Sequence, residues 1–335
     1  MGATRLPGPR LPAGEVAVGP WKDGGVHALT RTGLAVAAAG LGGLGYASLI
    51  ERNAFVLRRR SVPVLPRGHR PLRVLHLSDL HLVPGQRRKA TWVRSLAGLR
   101  PDLVINTGDS LAHPEAVTVA IETFAPLFDV PGVFVLGSND YFAPQLKNPL
   151  RYLTARSRKG TGESARLPTG DLVKGLRDGG WVELTNARAH VAVGGAEIEF
   201  VGVDDPHLKY DRYALVAGAA DPTALLTIGV THAPYQRVLD AMTSDGASLV
   251  VAGHTHGGQL CVPGYGALVT NCDLDSGRVK GVSRGWPGAG ADLLAPVPSD
   301  AAWLEVSAGL GTSPYAPVRF ACRPEATLLT LEPVG

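Results

Sequence analysis

From Pro71 onward, short apolar runs alternate with stretches that carry apolar residues at helical spacing. The runs Leu72–Leu77, Leu103–Asn106 and 133–136 predict buried strands, and residues 87–99 and 115–128 predict the helices between them. The first of these helices closes at Arg100-Pro101. A second set of buried runs covers 225–231 and 248–252, and 191–193 with 198–203 form a hairpin joined through Gly194-Gly195. Closing strands are expected over 303–307 and 327–331, and a short helix over 171–176. Residues 155–170 have the composition of a surface loop, and 285–299, rich in Gly, Pro and Ala, that of an irregular insertion. Periodicity by itself reaches a mixed α/β domain with buried strands, without internal repeats or a second core. Polar residues collect where the apolar runs end, the place where open α/β sheets hold their ligands.

The first 70 residues follow a different pattern. Residues 1–27 are rich in Gly and Pro and lack apolar periodicity, which predicts a disordered tail. Residues 32–50, TGLAVAAAGLGGLGYASLI, are apolar and uncharged. As a helix they rise roughly 28 Å, close to a hydrocarbon thickness of about 30 Å. This predicts a single-pass transmembrane anchor over 28–51 in the cell membrane, followed by a linker over 52–70 and one catalytic domain over 71–335. A cleaved signal peptide and a buried core helix are the competing readings of the same segment. Arg52 and Arg58-Arg59-Arg60 outnumber Lys22 and Arg31, which favours a cytoplasmic domain. Export routes for folded domains override such a bias, so the side of the membrane stays open.

Composition narrows the function classes. A chain of 335 residues with 45% hydrophobic content can bury one large core. Its 33 Lys+Arg against 29 Asp+Glu leave a net charge of +4, with several positive residues in the N-terminal segment, so no nucleic-acid partner is favoured. Cys261, Cys272 and Cys322 show no paired spacing, which argues against a disulfide scaffold and against a thiolate zinc site.

The chemistry lies at the ends of the apolar runs. Asp79-Leu-His81, Gly108-Asp109, Gly137-Ser-Asn-Asp140, His232 and His254-Thr-His256 each follow a predicted strand. Singly, each has an ordinary explanation, as a capping Asp, a turn or a core histidine. Together they form an ordered set of metal-binding side chains. The set resembles the calcineurin-like metallophosphoesterases, whose pattern is Asp-x-His, Gly-Asp, Gly-Asn-His-Glu or Asp, a lone His, and Gly-His-x-His. The resemblance spans residues 70–335. It is nearer to the bacterial membrane-associated branch on Gly253-His-Thr-His-Gly-Gly-Gln259, Gly202-Val-Asp-Asp205, Gly309-Leu-Gly-Thr-Ser313, Pro317-Val-Arg-Phe320 and Arg323-Pro-Glu325.

The resemblance implies a two-sheet αββα sandwich and two divalent metal ions. Asp79, His81 and His256 would hold one ion and His232 and His254 the other, with Asp109 bridging them. Carboxylate oxygens and imidazoles suit Mn, Fe or Zn. Two such ions, about 3.5 to 4 Å apart, activate a shared hydroxide for in-line attack on phosphorus. The third motif departs from the pattern. Ser138 stands at the metal-binding Asn and Asn139 at the His that assists the leaving group. Asn139 is the better ligand of the two, because a carboxamide oxygen is a better neutral donor than a hydroxyl. Asp140 is expected to order the loop by accepting backbone N–H groups. The missing His predicts a preference for activated leaving groups, or a substitute acid drawn from His113 or His207.

The resulting expectation is a membrane-anchored phosphohydrolase. Its substrate would be a phosphomonoester, phosphodiester or pyrophosphate, carried by a small molecule or a lipid. A non-catalytic metal- or phospholigand-binding module is the alternative suggested by the altered third motif. A nuclease is disfavoured by the absence of a basic-aromatic strip.

Overall fold

Both faces of most strands are apolar, because each sheet is covered on two sides. In β2 (Leu72–Leu77), Leu72 and Val74 join one buried cluster while Leu75 and Leu77 join another, as the twofold alternation of a strand requires. The computed structural model describes residues 24–145, 164–290 and 294–335. It divides into two units, 1–43 and 44–335.

The first unit holds most of α1 (Gly24–Gly45), whose side chains over 31–42 are exposed. The helix continues into the second unit as a π turn (Tyr46–Ile50) and a 3-10 turn (Glu51–Asn53). Of the expected disordered tail, residues 24–27 are helical and the remainder lies outside the described residues.

The second unit is an αββα sandwich. One sheet runs β1 (Val56–Leu65), β14 (Glu325–Pro333), β2, β3 (Leu103–Asn106), β4 (Gly132–Phe134), β5 (Val182–Glu183). The other runs β12 (Gly281–Gly285), β13 (Ala302–Val306), β9 (Leu249–Ala252), β8 (Thr227–Thr231), β7 (Ala196–Gly202), β6 (Ala187–Val193). Strands β2 to β5 are mutually parallel, as are β7, β8, β9 and β13. Leu103, Ile105, Phe200, Ile228 and Val251 interdigitate between the sheets. Helices α2 (Arg87–Ser95), α3 (Val117–Phe124) and α5 (Thr169–Asp178) cover the outer face of the first sheet, and α6 (Gln236–Ser244) that of the second. A small hairpin, β10 (Cys261–Val262) with β11 (Gly266–Ala267), stands beside the second sheet's loops. A four-residue helix, α4 (Ser138–Tyr141), follows β4.

One boundary differs from expectation. Residues 52–70 are not a linker, because β1 lies within them and pairs in parallel with β14 from Val56 to Leu65. The strand is at the sheet edge, where Arg59 and Arg60 face solvent and Pro63 removes no needed ladder bond. Arg58 pairs with Glu325 at 3.0 Å. Residues 286–290 and 294–299 carry neither helix nor strand, consistent with the irregular insertion. Of the predicted surface loop, residues 155–163 lie outside the described residues.

Candidate metal centre

Parallel strands place their C-terminal ends on one edge, and five of them deliver side chains to the same point. Asp79 and His81 follow β2, Asp109 follows β3, Asn139 follows β4, His232 follows β8, and His254 and His256 follow β9. The chain turns sharply at each exit. Asp79, His81, Asp109, His254 and His256 hold left-handed φ angles of 52, 44, 54, 69 and 49°. That region costs a non-glycine residue about 1–2 kcal/mol and persists where the surroundings over-determine it. Backbone bonds from Asp79 N to Gly108 O and from His81 N to Asp109 O, both 2.9 Å, clamp two of these turns. Gly137 and Gly253 allow the close approach. A Cβ on Gly137 would lie 2.3 Å from Asp109 Oδ1, and one on Gly253 would lie 1.9 Å from Ser78 Oγ.

The donor atoms form two groups that share Asp79, one with His81 and His256 and the other with Asp109 and His232. Asp109 spans both, with Oδ2 3.5 Å from His81 Nε2 and Oδ1 3.6 Å from His232 Nε2. His254 Nδ1 is 3.3 Å from His232 Nε2. Carbonyl groups set which ring nitrogen faces inward. Thr107 O lies 2.7 Å from His232 Nδ1, and Asn271 O lies 3.3 Å from His254 Nε2. Each carbonyl can accept only from a protonated nitrogen, so the other nitrogen is the one that can offer a lone pair once it is unprotonated.

The residues fit divalent cations. His81 Nε2 and His256 Nε2 face each other at 3.1 Å, with Asp79 Oδ1 3.7 Å from the latter. One neutral imidazole can donate to the other there, whereas a cation between them takes a lone pair from each. Burial holds His81, His254 and His256 below the usual histidine range and so keeps them neutral. Burial also acts against charge on His232, but Asp109, Asp205 and Asp79 outweigh it and push its pKa up to about 9. For Asp109, burial is opposed by His232, His81 and two Asn139 hydrogen bonds, which keep the carboxyl well below its ordinary range. Asp79 is raised, chiefly by burial.

At the departing motif, Asn139 and not Ser138 meets the carboxylate. Its backbone N and its Nδ2 donate to the two Asp109 oxygens, each at 2.7 Å. Rotation about Cβ–Cγ exchanges the ends of the carboxamide, so the same position offers Oδ1 to a cation. Asp140 accepts from the backbone N of Asp109, Ser110, Leu111 and Gly137 and thereby orders the loop.

The two histidines considered as substitute acids differ. His207 lies against His254, with ring centroids 4.6 Å apart and planes tilted by 43°, and is 3.1 Å from Tyr235 Oη through Nδ1. His113 is not brought to the cluster. It caps the 3-10 turn Pro114–Ala116, its Nδ1 accepting from Glu115 N at 3.2 Å, and among the described residues it makes no hydrogen bond or ring contact with the cluster.

Several participants are assigned no role by the metal-binding motifs. A buried chain runs from Glu305 to His76 Nδ1, from His76 Nε2 to Thr107 Oγ1 at 2.9 Å, on to Ser78 Oγ at 2.7 Å, and to Asp79 Oδ2 at 2.5 Å. A His and a Glu inside otherwise apolar strand runs are the only trace of it in the sequence. Asp205 is fully buried with Oδ2 unpartnered, and burial pushes its pKa up to about 7. Arg319, also fully buried, donates through Nη2 to Ala308 O and Gly311 O at 2.7 Å and lies 3.2 Å from His256 Nδ1. Cys261 and Cys322, unpaired by spacing, are free thiols that meet at Gly257 O, 3.2 and 3.5 Å away.

The family model for calcineurin-like phosphoesterases matches residues 72–258, more than half the chain. Among curated relatives, "Uncharacterized protein YpbG" of Bacillus subtilis (strain 168) is 28% identical over 304 residues, covering 89% of this chain and 95% of that protein. "Uncharacterized metallophosphoesterase YkuE" of the same organism is 24% identical over 301 residues, covering 87% and 90%. The "Transmembrane protein with metallophosphoesterase domain" of Bos taurus is 26% identical over 234 residues, 63% of this chain and 46% of the bovine one.

Proposed function

Because the chain belongs to the calcineurin-like phosphoesterase family and is a metal-dependent phosphoesterase, we propose that it is a dinuclear phosphohydrolase held at a membrane by its N-terminal helix. The substrate is a phosphomonoester, phosphodiester or pyrophosphate. The observation that carries this reading is the pair of donor groups sharing Asp79 at the common edge of the two sheets. Asp79, His81 and His256 would hold one cation and His232 and His254 the other, with Asp109 available to both. When bound, such ions neutralise phosphoryl oxygens and lower the pKa of water.

The chain's own residues do the rest. Asn139 fixes the Asp109 carboxylate by two hydrogen bonds or turns its oxygen to a cation. Asp140 fixes the loop that carries Asn139 and Asp109. His207, against His254 at the exposed edge, supplies the proton that the leaving oxygen needs, in place of the His missing at Asn139. A leaving group that departs without that proton reacts faster still.

Membrane attachment is supported by the helical stretch Arg31–Asn53, 23 residues long and near the N-terminus, which is apolar and long enough to span a bilayer. Its exposed side chains do not resemble those of a core helix. The bovine relative is by name a transmembrane protein. The test is metal content and turnover of bis(p-nitrophenyl) phosphate with Mn by the purified full chain. About two metal equivalents, with activity abolished in Asp109→Ala, are expected. Unchanged turnover in that variant removes the proposed centre, and absence of turnover in the unaltered chain favours the non-catalytic binding module.

A further inference from the structure

The segment from Gln259 to Cys272 contains no charged residue, yet much of it lies on the surface. It forms the β10–β11 hairpin directly after His256-Gly-Gly258. Tyr265 at its tip is 76% exposed and Leu268 beside it 59%. Leu260 and Val262 are exposed as well. A soluble surface seldom leaves this many large apolar side chains together without an apolar partner.

The patch does not end at the hairpin. Leu260 bridges in parallel to Phe320, and Cys261 N donates to Phe320 O at 2.9 Å. The Phe320 ring meets Tyr46 edge to face, with centroids 6.4 Å apart. Tyr46 belongs to the last turns of the apolar helix. Those turns are tied to the same loop twice, by Arg319 N donating to Ala47 O at 3.1 Å and by Cys322 N donating to Glu51 Oε1 at 2.6 Å. Leu49 and Ile50 in the same turns are exposed. The end of the span-length helix, Phe320 and the uncharged hairpin therefore make one surface, and His256 of the metal centre sits at the hairpin's root.

We propose that this surface rests in the interfacial layer of the bilayer entered by the helix, so that the metal centre works on phosphate groups carried by membrane lipids. The inference rests on the reading of that helix as a membrane anchor and specifies the substrate class for the site. Continuity decides the occupant. A helix ending at Asn53 fixes Tyr46, Leu49 and Ile50 at the level where hydrocarbon gives way to headgroups, and residues 260–268 are joined to them through Phe320. Tyr, Phe and Leu side chains are those that partition to this layer. Arg52, Arg58, Arg59 and Arg60 follow within the next turns and strand, where cationic side chains meet anionic headgroups. A lipid-borne phosphate is then presented to the centre at raised effective concentration.

The experiment uses the full chain in bilayers with brominated acyl chains. Tyr265→Trp and Leu268→Trp are compared with Leu215→Trp, an exposed position on the connection between β7 and β8, and the quenching added above the native tryptophans is recorded. Strong added quenching at 265 and 268 with none at 215 is expected. No quenching at 265 and 268 overturns the proposal, as does its loss in favour of a detergent-stable dimer that covers the hairpin. Activity separates the two halves. The double variant Tyr265→Ser with Leu268→Ser is expected to lose about tenfold or more of its turnover of a vesicle-borne p-nitrophenyl phosphodiester lipid while turning over bis(p-nitrophenyl) phosphate normally. Equal turnover of the vesicle substrate by variant and unaltered chain refutes the substrate assignment, and equal loss on both substrates does too. If the unaltered chain hydrolyses neither, the phosphohydrolase reading fails while the quenching still reports on docking.

Discussion

His232 is the one imidazole of the cluster whose surroundings favour its proton. It faces Asp109, Asp205 and Asp79, which raise its pKa to about 9 in the metal-free chain despite complete burial. A ligand must give up that proton before its Nε2 can hold a cation. Below about pH 9, cation binding therefore releases a proton from His232, and affinity should rise about tenfold per pH unit from neutrality until it levels near that value. Manganese titrations across that range, with proton release measured in parallel, check the sign, and a pH-independent affinity would sink the assignment of His232 as ligand. The neighbouring loop gives a sharper discrimination. Asn139 contacts both Asp109 oxygens, while among the described residues the Ser138 hydroxyl meets Asn139 alone, at 3.5 Å. Asn139→Ala should reduce metal affinity or turnover about 10- to 100-fold, and Ser138→Ala less than about twofold. The reverse order, measured by metal retention and kcat/KM, excludes Asn139. Which of the two residues reaches the carboxylate was only half legible from sequence, since donor chemistry favoured Asn139 but a one-residue slip in a loop leaves no periodic trace. For His113 the sequence left an ordinary surface or capping role beside the catalytic one, because a ring that accepts from its own turn has the same sequence as one aimed at a site.

At the scale of elements, hydrophobic pattern served best where both faces of a strand are buried. β2 and β3 occupy the residues their apolar runs predict, and the strand exits carry the cluster as the ordered motifs suggested. The pattern failed at the sheet edge. β1 contains three consecutive arginines and a proline, which read as linker, and only pairing with β14 at the far end of the chain makes a strand of them. A pairing partner some 270 residues away cannot be read from local alternation. The inner residues of β1 nonetheless behave as core, since Val62 and Leu65 are fully buried between the sheets. Leu65→Ala should accordingly destabilise the chain by about 2–5 kcal/mol, against about 0.5 kcal/mol or less for a residue in a solvated linker. Denaturant unfolding measures the difference, and a neutral result would return the segment to the linker reading.

The whole molecule brings two sheets together at one edge, and a buried chain of hydrogen bonds is among the links that join them there. His76 stands on β2 of the first sheet and Glu305 on β13 of the second, both almost without solvent contact. His76 passes its Nε2–H to Thr107, and each hydroxyl after it accepts one hydrogen bond and donates the next, ending on Asp79. Such a chain runs in one direction when His76 Nε2 donates to Thr107, which leaves Nδ1 to the bond with Glu305. Removing the Glu305 side chain alone, as in Glu305→Ala, leaves His76 Nδ1 buried without its partner and should destabilise the fold by about 1–3 kcal/mol. Replacing both partners, His76→Leu with Glu305→Met, should recover most of that loss, because an apolar pair needs no compensation between the sheets. Turnover separates the two roles of the pair. With the fold restored but the donor chain to Asp79 interrupted, metal affinity or kcat should remain about 10- to 100-fold low. A double variant with native stability and native turnover would show that the pair holds the sheets together and nothing more. One that is stable but slow ties the alignment of Asp79 to a contact between the two sheets, made three hydrogen bonds away from its carboxylate.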